Sequence, residues 1–109
     1  MHGPVEISLR GIAASDTLER FIAAEAGGLE RICSDIAGCL VVAEALQRER
    51  QQVQFAVRLI ITLPGTEFMV NREHRDDVYI ALRDAFAAAG LQLREHMRRH
   101  GPGRRGNGA

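Results

Sequence analysis

Arginine is the residue type with the most chemical reach in this chain. All 14 basic residues of the 109-residue sequence are arginine, and lysine is absent. A guanidinium presents a rigid fork of donors that grips phosphate oxygens bidentately and stacks on bases, so an all-arginine set is compatible with RNA. Genomic bias toward arginine codons accounts for most of the missing lysine. Spacing is more telling than number. Arg20, Ala24, Gly27 and Arg31 share one helical face, and Arg83, Ala87, Gly90 and Arg94 repeat the same order later, extended by Arg98. Two arginines about three turns apart, separated by small residues, leave a smooth channel where a phosphodiester backbone can lie between clamps on neighbouring phosphates. The competing reading is that solvent faces of alanine-rich helices repeat such spacings by chance.

Other chemistry is poorly supplied. Five residues separate Cys33 from Cys39, without the CxxC spacing of a redox motif or zinc knuckle, so buried free thiols are expected. His96 and His100 stand four apart, a spacing that can ligate one metal, but no paired cysteine or carboxylate accompanies them. Packing or exposure near a helix end is the favoured reading for both. The carboxylates are scattered as caps and salt-bridge partners, and no glycine loop cradles a phosphate. The sequence therefore points to no enzyme, cofactor, metal or small-molecule substrate. Tyr79 is the single tyrosine and tryptophan is absent, so nucleic-acid binding would lean on phosphates rather than stacking.

Net charge is zero, which excludes an indiscriminate polycation, but its distribution is uneven. Residues 1–93 hold nine arginines against thirteen acids, whereas residues 94–109 hold five arginines against Glu95 alone. An acidic body thus carries a basic C-terminal end. Arg98-Arg99 and Arg104-Arg105 there serve equally as an electrostatic contact or a solubilising terminus. No apolar run is long enough to span a membrane, and Met1-His2-Gly3-Pro4 lacks the features of a signal peptide. A cytoplasmic protein is expected.

The elements that must hold these arginines follow from periodicity. Val5, Ile7 and Leu9 alternate with polar residues as a half-buried strand that Gly11 ends. Ser15 or Asp16 caps a helix with Leu18, Ile22, Leu29 and Ile32 on its apolar stripe. Gly27-Gly28 inside that helix costs roughly 1 kcal/mol per glycine, so either the helix bends there or a neighbour approaches its backbone closely. Leu40–Ala45 reads as a second strand, and Gln47–Gln52 as a polar connection. Val53–Leu63 and Thr66–Asn71 form a hairpin about Pro64-Gly65, and a polar break at 72–77 precedes a helix that buries Val78, Leu82, Phe86, Ala89 and Leu93. The expected fold is α+β in the order β-α-β-β-β-α, a four-stranded sheet with two helices on one face. Residues 1–100 form that domain, and 101–109 are expected to be a disordered Gly/Arg tail.

Several segments together resemble the ribosome hibernation-promoting factor and ribosome-associated inhibitor family, also called sigma-54 modulation proteins. They are Val5-Glu6-Ile7-Ser8-Leu9-Arg10-Gly11, Leu29-Glu30-Arg31-Ile32, Leu63-Pro64-Gly65, Val70-Asn71-Arg72-Glu73 and Asp77-Val78-Tyr79-Ile80-Ala81-Leu82. The resemblance implies a fold akin to double-stranded-RNA-binding domains and binding in the small ribosomal subunit, across the channel for messenger RNA and transfer RNAs. It implies a short-form hibernation factor, a stress-linked stoichiometric plug whose partners are the subunit and its ribosomal RNA. The expected RNA contacts are Arg20, Arg31, Arg72, Arg75, Tyr79, Arg83, Arg94, Arg98 and Arg99. Basic residues usual in the family are replaced here by Gly28, Ala88, Leu91 and Glu95. Those losses keep a second reading open: a protein–protein interaction module on the same scaffold, self-associating or binding a non-ribosomal partner.

Overall fold

The computed structural model describes residues 5–47 and 52–100. Its elements run β1 (Glu6–Arg10), α1 (Asp16–Ile32), β2 (Gly38–Gln47), β3 (Val53–Leu63), β4 (Thr66–Arg75) and α2 (Val78–His100). The sheet is ordered β1-β2-β3-β4. β1 and β2 are parallel, bridged by the α1 crossover, and the remaining pairs are antiparallel. This is the expected α+β fold.

Local chemistry sets the boundaries. Ser15 is extended and its hydroxyl accepts the Leu18 amide at 3.1 Å, satisfying a donor that the first turn of α1 would leave bare. Cys33 returns to extended backbone and closes α1 through its N–H to the Leu29 carbonyl, 3.0 Å away. At the β3–β4 hairpin Pro64 cannot take a positive φ and Gly65 supplies one, +79°, the pairing a type II turn requires. Asp77 begins α2: its Oδ1 accepts the amides of Tyr79 and Ile80 at 2.9 and 3.3 Å.

Alternation decides which face of the sheet is covered. Cys39, Val41 and Ala43 of β2, with Val57, Leu59, Ile61 and Leu63 of β3, are buried, whereas their intervening neighbours are half-buried or exposed. Leu18, Ile22 and Leu29 of α1 and Leu82, Phe86 and Leu93 of α2 join them in one core, so both helices lie on that single face. Each such aliphatic side chain contributes about 1.5–3 kcal/mol by leaving water. No described polar or charged residue is buried.

Two expectations need correction. The polar stretch from Arg72 to Arg75 is strand, not a break, because β3 is long enough to pair with it as far as Gln54 opposite Arg75. Only Asp76 and Asp77 separate β4 from α2. Asp76 turns the chain at φ +66° while its N–H bonds the Val53 carbonyl at 2.9 Å. In α1 nothing approaches Gly27 within 4 Å, and the helix runs unbroken through both glycines. The close approach occurs on α2, where a β-carbon at Gly90 would meet Ile32 Cδ1 at 3.4 Å and Leu29 Cδ2 at 3.9 Å. The Arg104-Arg105 tail, the N-terminal tetrapeptide and most of the 47–52 connection lie outside the described residues.

Candidate nucleic-acid interface

Gly90 lets the helices meet closely, and a groove of about 430 Å³ runs along their seam. Leu29 and Ile32 of α1 line it with Phe86, Ala87 and Gly90 of α2, so the lining is largely small or apolar. Arg83 and Arg94 form its α2 wall, about three turns apart. The Arg94 guanidinium folds back over its own helix, with Nη1 3.7 Å from the place a Gly90 β-carbon would take. Arg31 does the same over Gly28, with Nη2 at 3.8 Å, and Gly28 belongs to the α1 wall.

Arg20, Arg31, Arg83 and Arg94 are all exposed, and none makes a hydrogen bond or ion pair with another described residue. Their donors remain available to an external anion. The acids of α1 are mostly turned aside: helical spacing puts Glu19 and Glu30 on the flank away from α2. Glu25 is the exception and lines the groove. The seam is therefore basic along α2 and mixed along α1.

The other expected contacts are placed differently. Arg98 and Arg99 both bind Glu95, the former by a direct hydrogen bond and the latter with Nε 4.0 Å from Oε2. The Arg98 hydrogen bond holds the Glu95 carboxyl below its ordinary range, and Glu95 in turn raises Arg98. Arg72 donates through Nη1 to the Asn71 carbonyl at 2.7 Å and lines a shallow depression with Arg10 and Arg58, outside the helical seam. Arg75 sits opposite Gln54 at the end of β4. Neither joins the helical arginines. Tyr79 packs edge-on against Phe21, ring centroids 5.1 Å apart at 87°, and so ties α1 to α2.

Sequence reasoning named Leu91 only as a lost basic position, and the structure leaves it 67% exposed on the groove wall; Glu25, which also lines the groove, was missed. Helical spacing alone places both near the seam, but only the packing shows that the seam stays open. Cys33 and Cys39 are free and buried, as expected; burial pushes the Cys39 thiol up to about 11. His96 packs against Phe68, ring centroids 5.6 Å apart, and is held below its ordinary value first by desolvation, then by His100 and Arg99. No helix among the described residues is long and apolar enough to cross a membrane.

The fold is thus a sheet covered on one face by two helices, with Arg83 and Arg94 on the wall of the groove between them and without a partner among the described residues. The chain belongs to the family described as sigma 54 modulation protein / S30EA ribosomal protein, whose model matches residues 5–100. That is a family of ribosome-binding modulators, not of enzymes. A ribosomal subunit interface protein from Coxiella burnetii has a similar structure, with TM-score 0.69 and 19% identity over 90% of this chain and 99% of that one. The N-terminal domain of Thermus thermophilus Protein Y is also similar, with TM-score 0.72 and 17% identity over 86% of this chain and 99% of that one. No curated protein matches the chain.

Proposed function

We propose that this protein is a ribosome-associated translation inhibitor of the hibernation type, acting in the cytoplasm by occupying the messenger- and transfer-RNA channel of the small subunit. One observation carries the reading: Arg83 and Arg94 line the groove between the helices and, like the exposed Arg20 and Arg31 of α1, have no partner among the described residues. Phosphates of ribosomal RNA supply what those forks lack, and the small groove lining allows a backbone close approach. Family membership and the ribosomal proteins among its structural neighbours support the same partner.

Co-sedimentation with small subunits tests it. Binding is expected at low salt and is expected to weaken steeply as salt rises, because each phosphate contact releases counterions. Absence at low salt, or persistence unchanged at high salt, sinks the mechanism. Glu25 in the groove and Leu91 at a position where the family is basic favour one alternative, a protein-binding module that has lost the ribosome. A sample indifferent to ribosomal RNA but associating with itself or another protein would establish that reading instead.

A further inference from the structure

We propose that His96 and His100 form a two-imidazole chelate for a divalent transition-metal ion of the nickel, copper and zinc group. The spacing puts them one turn apart on the same side of α2. Packing then brings the rings together: their centroids lie 4.4 Å apart and the planes are tilted by 36°. From that separation, rotation about the side-chain torsions can turn one nitrogen of each ring toward a common ion at the roughly 2.0–2.1 Å that imidazole ligands adopt. Phe68 meets His96 edge-on and limits how that ring turns.

Access and vacancy support the same site. Both histidines line a solvent-reaching cavity of about 540 Å³ on the Asp35 and Thr66 side of the molecule, apart from the arginine seam. Neither ring hydrogen-bonds another described residue, so their nitrogens are uncommitted. The carboxyl end of a helix also favours a cation. Arg98 and Arg99 oppose that, but Glu95 offsets part of their charge. Among the described residues no third histidine, cysteine or carboxylate completes a three-donor set. Water fills the remaining positions, making this an exchangeable site. Imidazole donors select these ions over magnesium and calcium, which prefer oxygen.

Isothermal titration of the tag-free full chain with nickel and zinc chlorides tests the site, with magnesium chloride as control. One ion per chain is expected for nickel and zinc, with no magnesium heat. His100→Ala is the decisive variant because His100 is exposed and its loss leaves the core intact. It should weaken nickel at least tenfold without shifting the apo melting temperature. Combining Arg99→His with His100→Ala restores a pair at i,i+3 and should recover part of the loss. Unchanged nickel affinity in His100→Ala, or magnesium binding equal to nickel, overturns the proposal. Subunit binding is a separate readout, so loss of one reading leaves the other standing.

Discussion

Removing Arg83 and Arg94 together, as Arg83→Ala/Arg94→Ala, challenges the anion-clamp reading most directly. Both walls of the groove remain, because neither guanidinium has a partner among the described residues and both side chains are exposed. Surface changes of this kind usually alter stability by no more than about 0.5 kcal/mol, so the melting temperature serves as an internal control. Two lost contacts to single-stranded phosphates reduce the slope of log affinity against log salt by about 1.4. At roughly 0.1 M salt the same counterion release is worth about 1 kcal/mol per contact, hence about 2 kcal/mol and a loss of about 25-fold. Sedimentation or anisotropy titrations with small subunits at several salt concentrations read both quantities. A variant that folds normally and binds with an unchanged slope refutes the reasoning, whatever its affinity at one salt concentration.

Glu95→Gln frees Arg98 and Arg99 from their ion pairs and should raise subunit affinity several-fold with a steeper salt slope, if those residues reach RNA; unchanged titrations would remove them from the interface. Because the Glu95 carboxyl sits below its ordinary range, the pairs are present at neutral pH and are lost only as pH falls through that lowered value, so affinity should not change between pH 6 and 8 on this account. Gly90→Val forces a branched side chain against Ile32 and Leu29 and should destabilise the domain by about 1–3 kcal/mol in urea melts. Gly27→Ala meets nothing within 4 Å in a helix interior and should stabilise by up to about 1 kcal/mol. With its thiol held at about 11, Cys39 should resist iodoacetamide at pH 8 in the folded chain and alkylate once urea unfolds it, as followed by mass spectrometry.

Both glycine predictions turn on something that spacing leaves open. Gly27 and Gly90 occupy matching places in the two repeats Arg20–Arg31 and Arg83–Arg94, and local sequence treats them alike. The fold separates them: Gly90 faces the neighbouring helix and Gly27 faces open space. The arginines divide in the same way. Helical periodicity set Arg83 and Arg94 on one face of α2, but whether each guanidinium is free depends on partners such as Glu95, and these take Arg98 and Arg99 out of the free set. Arg72 and Arg75 looked like loop residues because a polar run reads as a break. The length of β3 made them strand and placed them away from the seam.

Sequence by itself determined the six elements, their order and the choice of covered face, because hydrophobic period, the Ser15 and Asp77 caps and the Pro64-Gly65 turn act over a few residues. Tertiary structure decided what the helices do together. The seam exists because Gly90 admits Ile32, and the four arginines without a partner among the described residues and the facing His96–His100 pair depend on which side chains packing leaves uncommitted. Such contacts join residues some sixty positions apart in the case of Ile32 and Gly90, and no local pattern encodes them.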